Sequence, residues 1–157
     1  MIKNMIINRE DKEHKHIFNN ICDSGAIMGI DWKPWGSTVD TGVYFNYIKK
    51  EDHKDAAEET LKLAPFTSLT NAFKGGKKIV FNNKVFHVIM YEPNEKFVYL
   101  KTNGGGGCVA LSGKAFVIGS YDTTKMMKKD GVQKPQNQGD CATAVLKMRD
   151  YLKTQGL

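Results

Sequence analysis

Three cysteines (Cys22, Cys108 and Cys141), four histidines (His14, His16, His53 and His87) and an unbroken glycine run, Gly104 to Gly107, are the first candidates for chemistry in this chain. A zinc site draws on cysteine ligands paired a few residues apart, and no two of these cysteines are so spaced. An odd, scattered set among apolar neighbours reads as reduced, packed thiols, and no metal site is expected. A glycine run cradles phosphate when a Lys-Ser or Lys-Thr pair and a helix come after it. Here Cys108-Val109-Ala110 come next, so the run reads as a hairpin turn. No Gly-x-Ser-x-Gly elbow is present, and the carboxylates fall on helical or turn sequence where charge serves solvation. The chain reads as a non-enzymatic protein without a cofactor.

The stretch "DWKPWG", Asp31 to Gly36, offers aromatic recognition instead. It holds both tryptophans, one on each side of Pro34, and the Pro and Gly mark a turn. A large ring is thereby expected near solvent.

Periodicity supplies the framework that holds these residues. Ile17, Phe18 and Ile21 predict a short first helix over 11–21, after a flexible extension at 1–10. Ala26 to Gly29 reads as a buried strand, Ser37 to Tyr47 as strand-forming, the 49–64 block as helix-favouring, and Phe66 to Phe73 as a second helical piece. From Lys78 a period of two takes over. Lys78 to Phe81 and Val85 to Tyr91 flank the turn residues Asn82-Asn83-Lys84, and strands at 96–101, 107–111 and 115–121 complete a meander of four to five strands. Alternation assigns Phe86, Val88 and Met90 to one face and His87, Ile89 and Tyr91 to the other. A basic linker then leads to a last helix from about Gln138, striped by Cys141, Ala144, Val145, Met148 and Leu152, with Asn137 and Asp140 suited to its start. These elements make an α+β domain with one antiparallel sheet over 1–157.

Composition narrows the function classes. At 41% apolar and 25% charged the chain suits one globular domain. No apolar run approaches the ~18 residues of a membrane span, and residues 1–7 lack a secretory cleavage pattern, so a cytoplasmic location is expected. A formal charge of +6, with local excess in "KGGKK" and "KMMKK", favours acidic partners.

The C-terminal run "GDCATAVLKMRDYLKTQGL" resembles the end of profilins. "SGKAFVIGSYD", "GGGG", "FNNKVFHVIMYE" and "AIMGIDWKPWG" are similar, in the same order, to that family's penultimate strand, glycine turn, central hairpin, and first strand and turn. The resemblance covers about 26–157 with insertions at 48–64 and 124–136. It marks a divergent member, of a kind suited to an actin-bearing archaeon or a deep-branching protist. It implies a profilin-like fold, a central antiparallel sheet with the N- and C-terminal helices packed on one face and short helices on the other. It also implies a monomeric, cytoskeleton-associated protein that binds monomeric actin and regulates polymerisation, or else an adaptor for proline-rich peptides or phosphoinositides, with no nucleic acid expected.

Carried over residue by residue, the resemblance implies an actin-binding surface at His87, Val88, Ile89, Phe97, Tyr99, Lys101 and Asn137. Val85, Met90 and Asp140 stand where the family often has basic residues. Trp35, Tyr151 and Leu157 match the groove for proline-rich ligands; an extended proline helix loses little entropy on docking against aromatic faces. The two further aromatics that profilins offer from the first helix align with His14 and Ile17, leaving Phe18 as the ring nearby. Trp32 has no family counterpart and is expected to pack on Pro34. The basic insert Lys125 to Lys134 lies beside the actin edge and is a candidate for contact with an acidic actin surface or a phosphoinositide headgroup, with Lys125, Lys128 and Lys129 the candidates for the lipid.

Overall fold

The computed structural model describes residues 21–38, 44, 65–129 and 131–157. The helix expected over 11–21 falls almost wholly outside them, as do the helix-favouring 49–64 block, His14, Ile17, Phe18 and the other histidines of the N-terminal third, His16 and His53.

Nine strands and two helices are described: β1 (Ser24–Gly29), β2 (Pro34–Ser37), α1 (Pro65–Ala72), β3 (Lys78–Phe81), β4 (Lys84–Glu92), β5 (Phe97–Thr102), β6 (Gly105–Leu111), β7 (Ala115–Asp122), β8 (Met126–Lys129), β9 (Val132–Pro135) and α2 (Gln138–Thr154). The main sheet has seven antiparallel strands in the order β2-β1-β7-β6-β5-β4-β3. The expected meander is therefore β3 to β7, and the first two strands extend it beyond β7. Asn82 and Asn83 close the β3–β4 hairpin with φ of 49° and 57°, the left-handed backbone that a two-residue turn with the sheet's own twist requires.

Both faces of the central strands are buried, which is why β1, β6 and β7 read as continuous apolar runs. On one face Ile27, Cys108, Ala110, Ala115 and Val117 pack against Cys141, Val145, Met148 and Leu152 of α2. On the other, Ala26, Met28, Val98, Leu100, Phe116 and Ile118 pack against Leu69 and Ala72 of α1 and the rings of Phe81 and Phe86. The α2 stripe is the one the sequence predicted.

Both ends of α2 are closed by local chemistry. Asn137 caps the start, its side chain accepting from the Asp140 N–H at 3.0 Å. At the far end Gly156 takes φ 76°, its N–H donates to the Lys153 carbonyl, and the Leu157 N–H donates to Leu152 O at 2.9 Å. These are the paired bonds of a glycine-terminated helix.

Four expectations are corrected. Tyr44 is helical, within the 37–47 stretch read as strand-forming. Trp35 lies on β2, not in the turn before it. Gly105 to Gly107 belong to β6; the turn is Asn103-Gly104. The basic "linker" holds a two-stranded hairpin, β8–β9.

Candidate functional site

The ladder assigns side chains to faces, and it departs from simple alternation at one residue. His87 pairs with Lys101 and Val88 with Leu100, but Met90 pairs with Tyr99 and Tyr91 with Val98. Ile89 is the extra residue of a bulge, which re-aims the rest of β4. Met90 thus joins His87 on the α2 face, while Tyr91 turns to the α1 face, where its ring meets Phe73 edge-on at 5.8 Å. This corrects the expected grouping of Met90 with Phe86 and of Tyr91 with His87.

The α2 face is built of cross-strand rows. Lys78, His87, Lys101, Gly106 and Tyr121 lie side by side across β3 to β7, and Met90, Tyr99, Cys108 and Gly119 form the next row. Helix α2 lies over β6 and β7. Beyond it, Phe97 and Tyr99 are half-buried, with ring centroids 5.0 Å apart, whereas His87, Met90 and Lys101 are exposed. Burial, and then the nearby Cys108, raise the Tyr99 phenol above its ordinary range. Gly106 is required here because a Cβ would run into the Leu100 carbonyl of β5, and the absence of a side chain lets the Tyr121 phenol pass over it, with Oη 2.7 Å from that Cβ position.

Of the residues expected at this surface, His87, Phe97, Tyr99 and Lys101 are brought together. Ile89 stands out at the bulge, 57% exposed. Val88 points to the opposite face and packs against the α1-side cluster. Asn137 is occupied as the helix cap. Asp140 does not leave a bare negative charge, since Lys134 Nζ lies 3.0 Å from its carboxylate. The sequence reading missed Lys78 and Tyr121, and although it matched Met90 to a family position at this surface, the bulge that places its side chain on this face has no marker within "VFHVIMY".

A second constellation gathers around the far end of α2. Trp35 is itself a bulged residue, because Ile27 pairs with Gly36 and Met28 with Pro34. Its indole lies over Gly29, where a Cβ would come within 2.9 Å of Nε1. Ile30 N–H donates to Lys114 O and Lys114 N–H donates to Leu157 O, each at 2.9 Å, so one residue ties the tryptophan hairpin to the C-terminal segment. Trp35, Tyr151 and Leu157 all border the α2 cluster. Trp32 takes φ 71° and is 55% exposed.

Of the three lysines expected at a lipid, Lys125 is ion-paired with Asp23 and Lys128 is exposed, while the side chain of Lys129 lies outside the described residues. No group of His, Cys, Asp and Glu able to hold a metal occurs among the described residues. No helix among them is long and apolar enough to cross a membrane.

Comparison with known proteins agrees with this geometry. The sequence profile of the Profilin family matches residues 13–157. The chain is 32% identical over 145 residues to the profilin of Tetrahymena pyriformis, covering 88% of this chain and 91% of that one. Among solved structures it is similar to Acanthamoeba castellanii profilin IB, with a TM-score of 0.60 at 18% identity over 90% of this chain and 92% of that one. Schizosaccharomyces pombe profilin gives a TM-score of 0.57 at 15% identity, covering 87% of this chain and 88% of that one.

Proposed function

The chain belongs to the profilin family, and from that membership we propose that it is a non-enzymatic, cytoplasmic binder of monomeric actin that regulates polymerisation. The observation that carries this reading is the surface on the α2 face of β4 and β5. There, exposed Met90 and the half-buried Phe97–Tyr99 pair lie beside the basic residues His87, Lys101 and Lys78. An apolar patch with a basic rim suits an acidic protein partner: buried rings supply affinity, and rim charge supplies encounter rate and register. Ile89 extends the patch toward solvent. Occupying one end of an actin monomer in this way suppresses nucleation and leaves the other end free to join a filament.

The test is a titration into polymerising actin, following lag time and steady-state polymer. A longer lag and a saturable fall in polymer are expected, both relieved by Tyr99→Ala or Lys101→Glu. No effect at high excess would overturn the reading.

A second reading is supported by the tryptophan hairpin. Trp35, Tyr151 and Leu157 border one cluster, and Lys114 bonds both Ile30, in the turn before β2, and Leu157, which suits capture of a proline-rich peptide. Trp35→Ala should abolish peptide binding and leave actin binding unchanged, which separates the two surfaces. Phosphoinositide binding rests on less, because Lys125 is already paired with Asp23.

A further inference from the structure

The β8–β9 hairpin is fastened at its root and unsupported at its tip. Lys125 pairs with Asp23, Lys134 with Asp140 in the first turn of α2, the Asp122 N–H donates to Gln136 Oε1 at 3.0 Å, and the Gln136 N–H donates to Lys125 O at 2.9 Å. The register gives the hairpin two faces. Met126, Lys128, Gln133 and Pro135 share the outer one, and all four are exposed. Met127, Lys134 and Val132 share the inner one. Along that inner face exposure changes abruptly: Met127 at the root is 1% exposed, while Val132 near the tip is 62% exposed. The tip therefore overhangs, carrying an apolar side chain on the side that faces the body at the root.

Position and charge identify what would lie against it. Strand β7 ends at Asp122, one residue past Tyr121 at the end of the Lys78–His87–Lys101–Gly106–Tyr121 row, and after a short turn the hairpin begins at Met126 and returns into the cap of α2. That row leads from the β4–β5 surface across β6 to the strand from which the hairpin departs. The carboxylates at its root are engaged, Asp23 by Lys125, Asp140 by Lys134 and Asp122 by Thr124, so among the described residues the exposed Lys128 sets the charge the outer face presents. A cationic projection with exposed Met126 and Val132 matches an acidic protein surface that also offers an apolar contact.

We infer that the β8–β9 hairpin is a second contact surface for the same actin monomer, reaching past the sheet to grip an acidic part of it. This rests on the actin-binding reading. Its root bonds hold the arm in place before binding, so little ordering entropy is lost on contact.

The experiment measures affinity for labelled monomeric actin by fluorescence anisotropy, at low and at physiological ionic strength, for the wild type, Lys128→Glu, Val132→Asp and Tyr99→Ala. Thermal melts verify folding, and these hairpin positions are exposed enough to leave it unchanged. Lys128→Glu and Val132→Asp should each weaken binding by about three- to tenfold, and Lys128→Glu should also flatten the salt dependence. Unchanged affinity in both hairpin variants, with Tyr99→Ala still weakened, overturns the hairpin's role and spares the actin reading. Tighter binding overturns it too, by showing the arm obstructs. If none of the proteins binds actin, the actin-binding reading itself is lost. Loss of binding only to phosphatidylcholine vesicles doped with phosphatidylinositol bisphosphate would assign the arm to lipid instead.

Discussion

The sulfur atoms of Cys22 and Cys141 stand 3.4 Å apart, 119 residues distant in sequence and both out of water. The two thiols are in hydrogen-bond contact, and that contact together with burial raises the Cys141 thiol well above its usual range; burial does the same to Cys108. The thiolate is the reactive form, so packed thiols of this kind are inert while the fold is closed. Ellman's reagent should label the native protein only slowly, at a rate that tracks unfolding, and should count all three cysteines in denaturant. Rapid labelling of the folded protein would contradict this packing.

Deleting Ile89 should be tolerated. The residues on either side of it are already in register with β5, so removing the bulge leaves a regular ladder with Met90 still opposite Tyr99. The melting temperature should change by only a few degrees, while affinity for the partner of this face falls. Deleting His87 instead shifts the strand by one and should unfold the hairpin.

Gly29 is required beneath Trp35. A Cβ there would meet Asp31 Oδ1 at 2.5 Å and the indole Nε1 at 2.9 Å. Gly29→Ala should cost about 1–3 kcal/mol in a urea titration and displace the ring. Binding of a proline-rich peptide should alter tryptophan emission in the wild type and in Trp32→Phe, but far less in Trp35→Phe.

Acid stability should depend on Asp122. The Thr124 hydroxyl and backbone N–H both donate to its carboxylate, at 2.6 and 2.9 Å, and hold its pKa below the usual value. A carboxylate lowered by folding adds stability at pH values above its unfolded pKa, near 4, and that stability is lost as pH falls through the lower folded value. Urea midpoints measured from neutral pH down to about pH 2 should drop less steeply for Asp122→Asn, which starts from a lower plateau.

What the sequence made legible was set by local chemistry. The Asn82-Asn83 turn, the α2 stripe and the Asn137 cap each need only a few neighbouring residues, and each falls where expected. What it hid was set by pairing. In an apolar run such as "VFHVIMY", no residue type marks where a strand gains an extra member, so the face of Met90 could be found only from its partner Tyr99. Trp35 poses the same problem on β2, where Pro and Gly signalled a turn that the ladder absorbed as a bulge. "KMMKKDGVQKP" is too charged to read as strand, and the ion pairs that fasten it, to Asp23 and Asp140, reach residues that lie far off or on another element. The order of the family resemblance, by contrast, survived these local errors, because it rests on the whole succession of segments.

The glycine run has a consequence in the gene. A Cβ on Gly105 would run into the Tyr121 carbonyl and one on Gly106 into the Leu100 carbonyl; on Gly107 it would stand 2.5 Å from the Gly119 carbonyl. Every missense change at a glycine codon adds a Cβ. Three consecutive codons therefore have no mild missense neighbour, and the floor beside Lys101 can drift only if β5, β6 and β7 move apart together.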